Sequence, residues 1–150
     1  MIFEHKNFLT QTECDYIISL HDISSHDWQQ HHRTIKFYST NLLNKDLKTN
    51  KFNSFNFDRL RVQYVNEDID QVTSFHIHQN NWNFVLFLND NFKGGELEFK
   101  SISYKPVIGT LIYFTGNEFH KLNNCIGERY SLVGFLNNDP LLGSNNKTMI

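Results

Sequence analysis

The stretch FLTQTECDYIISL sets Thr10 three residues ahead of Glu13 and continues with Tyr16, Ile17, Ile18 and Leu20, a capping box that leads into an amphipathic pattern. It predicts a helix over about residues 11 to 21. From about residue 22 to 57 polar positions dominate with no clear period. A short strand over Thr34 to Tyr38 is expected there, followed by a polar loop in NKDLKTNKFNSFN, and His21, His26, His31 and His32 are expected at the surface. From residue 58 the pattern changes to short apolar or alternating runs bounded by turn residues, which read as strands. They are DRLRVQYV, SFHIH, NFVLFLN, GELEFK, TLIYF and ERYSLVGFL, with Gly94-Gly95, Pro106, Gly109, Gly116 and Gly127 marking the turns. One helix followed by regularly spaced short strands predicts a mainly β protein, a β-sandwich or jelly roll with one or two supporting helices near the N-terminus. The tail after Asp139 is expected to be a mobile end.

Composition narrows the reading. A chain of 150 residues suits a single domain with one core, here a helical lead-in over about 8–22 and a β core over about 58–137. Aromatic residues form 15% of the chain and only two prolines occur, which favours a packed β core over disorder. There is no alanine, and Asn, Ile, Lys and Phe are abundant, a bias that carries no functional information by itself. The net charge of −2 gives no basic footprint for nucleic acid. No apolar run approaches the roughly 20 residues of a membrane-spanning helix. Cys14 and Cys125 lie far apart, and MIFEHKNFL has no apolar signal core, so a reduced, soluble, cytoplasmic protein is expected.

The candidate chemistry begins in SFHIHQNN. Residues two apart on a strand share a face, so His76 and His78 point one way while Phe75 and Ile77 point the other. Two such imidazoles either supply adjacent corners of a metal's coordination sphere or merely share a face. A third ligand has to come from another strand, and His120, where TLIYFTGNEFH gives way from strand to turn, is the candidate. Nine residues on, GERYSLVGFL puts Arg129, Ser131, Val133 and Phe135 on one face. An inward guanidinium has to meet an anion, because leaving it unpaired costs several kcal/mol. That anion is either a ligand carboxylate or an internal partner such as Glu96 or Glu98.

NFVLFLNDNFKGGELEF, then YKPVIGTLIYF, then His120, then GERYSLVGFL together resemble the 2-oxoglutarate and Fe(II)-dependent oxygenases, in particular their compact prolyl-4-hydroxylase-like branch. The resemblance covers roughly residues 58 to 137, and the N-terminal helix is similar to the usual lead-in. It implies a double-stranded β-helix, cupin-like in architecture, with Fe(II) at one end and 2-oxoglutarate as cosubstrate. His120 matches the family's distal histidine. Arg129 matches the residue that binds the far carboxylate of 2-oxoglutarate, Ser131 completes an Arg-x-Ser pattern, and Tyr64 is similar in placement to a tyrosine that hydrogen-bonds the cosubstrate. The implied activity is decarboxylation of 2-oxoglutarate to succinate coupled to hydroxylation of a substrate C–H bond.

The departure lies in SFHIHQNN, where the family has His-x-Asp. One alignment puts His76-Ile77-His78 on the motif and gives a metal site of His76, His78 and His120. The other puts His78-Gln79-Asn80 there, with Asn80 in place of the acid. Imidazole is the better metal ligand, which favours the first. The resemblance thus implies a dioxygenase, or hydroxylase, acting on a peptidyl proline, another side chain or a small molecule. The alternatives are a non-catalytic metal or 2-oxoglutarate-binding module of the same fold, and a cupin-like three-histidine dioxygenase that does not use 2-oxoglutarate. Loops such as Asn66 to Thr73, together with Trp82 and Asn83, are expected to line the mouth.

Overall fold

The computed structural model describes residues 1–21, 33–68, 74–140 and 148–149. In chain order the elements are β1 (Ile2–His5), α1 (Gln11–Ser19), β2 (Arg33–Phe37), α2 (Thr40–Leu47), β3 (Phe57–Asn66), β4 (Trp82–Phe87), β5 (Lys93–Gly94), β6 (Leu97–Phe99), β7 (Ser103–Tyr104), β8 (Leu111–Thr115), β9 (His120–Leu122), β10 (Cys125–Ile126), β11 (Glu128–Leu136) and β12 (Thr148–Met149). A major sheet has the order β12-β1-β8-β4-β11-β3-β2, a minor sheet the order β7-β6-β9, and β10 pairs with β5. Every strand pair is antiparallel. The fold is mainly β, a jelly roll with two short helices.

The capping box forms as the sequence requires. The Glu13 N–H donates to Thr10 Oγ1 at 3.1 Å, and the Thr10 N–H donates to Glu13 Oε1 at 2.9 Å. The second helix corrects the reading of this region as loop. In TNLLNKDL, Leu43 and Leu47 stand four apart and both are buried, while Ser39 Oγ accepts the Leu42 N–H at 3.1 Å. That apolar stripe is only two residues long, so polar neighbours mask it in sequence.

The two faces of the major sheet have different partners. Leu60, Val62, Tyr64, Trp82, Phe84, Leu86, Leu111, Tyr113 and Leu132 pack with the helices and with Phe8, Phe52 and Phe55 in the larger core. Val85, Phe87, Ile112 and Phe114 face the minor sheet and meet Leu97, Phe99 and Tyr104. Strand β4, pinned between β8 and β11, is buried at every position, as a strand covered on both faces must be. Arg129, Ser131, Val133 and Phe135 alternate with the residues of the larger core, so they look into the space between the two sheets.

Two further expectations change. SFHIH is not a regular strand: His76 forms an isolated antiparallel bridge with His120, and the rest is irregular. Thr148–Met149 pair with β1, so the tail does not end as a free segment. His26, His31 and His32, and the 69–73 part of the mouth loop, lie outside the described residues. His21 is half-buried, with Nε2 2.9 Å from the Tyr38 hydroxyl. Both cysteines are buried. Among the described residues, no helix is long and apolar enough to cross a membrane.

Candidate active site

His76, His78 and His120 converge, with one ligand atom from each lying within 4.8 Å of the others. Ring centroids are 4.9 Å apart for His76 and His78, 4.4 Å for His76 and His120, and 5.0 Å for His78 and His120. His120 begins β9, which pairs with β6, and its ring rests against Phe114 of the major sheet at 4.6 Å. The cluster therefore sits between the two sheets. Gly116 makes the approach possible. Its carbonyl accepts the His78 N–H at 3.1 Å, and a Cβ added there would run into the backbone oxygens of His78 and Asn80.

Hydrogen bonding prepares two of the rings as ligands. His76 Nδ1 lies 3.0 Å from the Ser74 carbonyl oxygen, and His120 Nδ1 lies 2.9 Å from that of Glu118. A carbonyl only accepts, so in each ring Nδ1 carries the proton and Nε2 keeps its lone pair. Burial, followed by the charges of His120, His76 and Arg61, pushes the His78 pKa down to about 4. Burial likewise takes His120 down to about 4, against the opposing effect of its bond to Glu118 and with a smaller push from His76. Both are neutral near pH 7, the form that binds a metal.

Asn80 is committed elsewhere, its Nδ2 donating to Asp58 Oδ2 at 3.0 Å. The three histidines, rather than Asn80, come together.

Arg129 is 3% exposed, and among the described residues no carboxylate lies within ion-pair distance of it. Its Nη1 donates to the Asn123 carbonyl at 3.3 Å, and Nε has no partner. Glu96 and Glu98, the internal candidates, instead accept from Asn123 Nδ2, and Glu98 pairs with Lys121. Burial lowers the Arg129 pKa, with the nearby Cys125 working in the opposite direction. Ser131, fully buried on the same face, also has an unpartnered hydroxyl.

Tyr64 does not join them, which corrects the expectation for that residue. It sits on the opposite face, in the larger core, against Tyr130 with centroids 5.0 Å apart. Its hydroxyl donates to Glu128 Oε1 at 3.0 Å and accepts from Asn66 Nδ2 at 3.2 Å. Gln63, one residue earlier, is the β3 residue paired with Ser131, and its Oε1 is buried without a partner. The alternation of LRVQYV against the Arg129 face carries that signal once the pairing register is known. Trp82 packs into the larger core against Phe3 and Tyr113, whereas Asn83 shares the interior face.

A family model described as the 2OG-Fe(II) oxygenase superfamily matches residues 55–137, more than half of the chain. The chain belongs to the 2OG-Fe(II) oxygenase superfamily. Oxygenases of this superfamily work with Fe(II) and 2-oxoglutarate, and this member has His-x-His where the family has His-x-Asp. Solved structures share its fold. The viral collagen prolyl hydroxylase of Paramecium Bursaria Chlorella virus-1, in a 2OG complex, is 15% identical with a TM-score of 0.64, covering 89% of this chain and 94% of that one. A Pseudomonas putida prolyl-4-hydroxylase is 14% identical with a TM-score of 0.59, covering 91% and 92%. A Trichoplax adhaerens prolyl hydroxylase, in complex with a hypoxia inducible factor peptide fragment, is 12% identical with a TM-score of 0.62, covering 95% and 87%. Comparison with curated protein sequences gave no match.

The residues present fit the family's two groups. Three converging imidazoles suit Fe(II), and a buried guanidinium beside an unpartnered hydroxyl suits a carboxylate.

Proposed function

We propose that this oxygenase is a hydroxylase in which His76, His78 and His120 hold Fe(II), and Arg129 with Ser131 holds the far carboxylate of 2-oxoglutarate. The observation that carries the reading is Arg129: a buried cation with no carboxylate partner among the described residues leaves its desolvation uncompensated unless a ligand anion fills the site. Its planar fork can meet a carboxylate in bidentate fashion, Ser131 Oγ adds a donor, and the amide of Gln63 lies alongside. Gly95 lies against Arg129 Nη1, where a Cβ would stand 3.3 Å away, so the backbone helps to fix the fork.

When bound, Fe(II) and 2-oxoglutarate would supply the oxidising chemistry with dioxygen, one oxygen atom going to the cosubstrate as it leaves as succinate and carbon dioxide and the other to the substrate C–H bond as a hydroxyl. The protein orients and insulates. Phe114 and Phe99 pack against His120, and Phe135 against His78, excluding water from the inner side of the cluster. Replacing the family's aspartate by His78 removes one negative charge from the ligand set. Fe(II) held by three neutral imidazoles would keep its full double charge, so attraction for the dianionic cosubstrate would rise while loss of an electron would become harder. A peptidyl proline or another peptide side chain is the proposed substrate, in keeping with the shared fold.

The test supplies Fe(II) and 2-oxoglutarate to the protein in oxygenated buffer, with and without a library of proline-containing peptides. The proposal expects succinate formation stimulated by at least one peptide. Tight 2-oxoglutarate binding with no succinate under any condition would instead support a non-catalytic binding module, the outcome to which loss of the carboxylate ligand would lead.

A further inference from the structure

Three polar side chains on the interior face remain without a role once the histidines, Arg129, Ser131 and Gln63 have theirs. Asn83 is 3% exposed, and neither of its amide atoms has a hydrogen-bond partner. Arg61 has a buried Nε that is likewise unpartnered, and Arg59, two residues before it on the same face of β3, is exposed at the rim. The pairing register sets Asn83 and Arg59 on either side of Phe135, with Arg61 across from Val133. Phe135 is the hub. The guanidinium carbons of Arg59 and Arg61 lie 5.9 and 5.7 Å from its ring centroid, and its ring meets that of His78 at 5.0 Å.

Neither arginine has a carboxylate within ion-pair distance among the described residues. Burial and the neighbouring Arg59 bring the Arg61 pKa down to about 10, which still leaves it charged at neutral pH. Arg59 is exposed and solvated, but the half-buried Arg61 guanidinium and the unsatisfied Asn83 amide beside the histidine cluster are costly unless something pairs with them. The cosubstrate cannot fill that role while it occupies Arg129. In the oxygenase reading its far carboxylate is held by Arg129 and its 2-oxoacid end serves the metal, so no carboxylate of the cosubstrate is left for Arg61. A neutral prolyl ring would leave the same groups unpaired.

Building on the oxygenase reading, we infer that Arg61, with Arg59 and Asn83, forms a substrate subsite that holds an anionic oxygen group, a carboxylate or a phosphate, beside the metal. The bond to be hydroxylated then lies close to that group in the substrate, and Asn83 offers its amide to a second oxygen or to a neighbouring carbonyl.

The experiment uses full-length protein loaded with Zn(II) as a diamagnetic stand-in for Fe(II) and saturated with 2-oxoglutarate. The ¹⁵N spectrum of arginine Nε–H groups is followed while blocked glutamate, blocked glutamine or inorganic phosphate is added. The Arg61 and Arg129 signals are assigned from R61Q and R129Q. The subsite predicts that 2-oxoglutarate moves the Arg129 signal and that an anionic probe moves the Arg61 signal saturably. Blocked glutamine should bind at least about tenfold more weakly than blocked glutamate, and R61Q should lose about tenfold in anion affinity with 2-oxoglutarate affinity unchanged. Preference for blocked glutamate points to an acidic side chain, and preference for phosphate to a phosphorylated one. Equal binding of the glutamate and glutamine probes, anion affinity unaffected by R61Q, or a 2-oxoglutarate response at Arg61 instead of Arg129 overturns the inference. If 2-oxoglutarate moves neither signal, the cosubstrate reading falls, and the anion arms, which depend only on Arg61, still decide the subsite.

Discussion

His76 and His120 are locked face to face by their own backbones: the His76 N–H donates to the His120 carbonyl at 2.9 Å, and the His120 N–H donates to the His76 carbonyl at 3.1 Å. The bridge fixes both Cα positions and leaves the rings 4.4 Å apart, so the ligand pair is set before any metal arrives. His78 completes the group from two residues away, held by Gly116. His120→Ala and His76→Ala should each abolish near-stoichiometric Fe(II) or Zn(II) retention after desalting, as read by elemental analysis. Asn80→Ala should retain it, since its amide serves Asp58. Metal lost with Asn80→Ala and kept with His76→Ala would reverse the ligand assignment.

Arg129 supplies a second, independent prediction. With no carboxylate partner among the described residues to strand, Arg129→Met removes a buried cation and should leave the thermal midpoint of the metal-free protein unchanged or raised. The same change should weaken 2-oxoglutarate binding by about one to two orders of magnitude while metal content stays the same. A variant that unfolds yet binds 2-oxoglutarate normally would instead point to an internal ion pair.

Gly116 tests the packing beneath the His78 segment. A Cβ at this position has no room beside the backbone oxygens of Asn80 and His78, so Gly116→Ala has to push that segment away from β8. Metal affinity should fall at least about tenfold, since a small misplacement of one ligand suffices, while the far-ultraviolet circular dichroism spectrum stays native. Unchanged metal affinity would mean that the segment tolerates displacement.

The histidines also make stability depend on pH. His78 and His120 titrate near pH 4 in the folded protein, against an ordinary value of 6.5. Between these limits the unfolded chain binds more protons, so stability rises with pH there. The contribution is complete above about pH 6.5 and is lost as the pH falls towards 4. Protons compete for the same lone pairs, so metal affinity should decline over the same acidic window. Thermal midpoints of the metal-free protein, measured between pH 4 and 7, should fall on acidification, and His120→Gln should flatten the slope. A midpoint independent of pH in both proteins would contradict this arrangement.

In the sequence β3 and β11 are legible by apolar alternation, β4 and β8 by continuous apolar runs bounded by turns, and α1 because Thr10 and Glu13 announce it. The α2 helix was hidden because two buried leucines among polar residues leave too short a stripe. Arg129 and Ser131 could be placed on one face by counting. Tyr64 could not be placed against them, because which face of β3 joins theirs depends on a pairing register that no local pattern encodes: Gln63, rather than Tyr64, pairs with Ser131. For the same reason nothing in the sequence singles out Arg61, and Asn83 reads there only as a mouth residue. Each is unremarkable in its own strand and gains meaning only beside Phe135.

Whether His76, His78 and His120 hold an iron ion within reach of a 2-oxoglutarate anchored on Arg129 is decided by an anaerobic optical titration. Fe(II)-loaded protein titrated with 2-oxoglutarate should develop the weak visible charge-transfer band of a 2-oxoacid chelated to iron, saturating at one equivalent in the wild type and requiring far more ligand in Arg129→Met. Bound iron with no band at any 2-oxoglutarate concentration would contradict the account and favour a three-histidine centre that works without this cosubstrate.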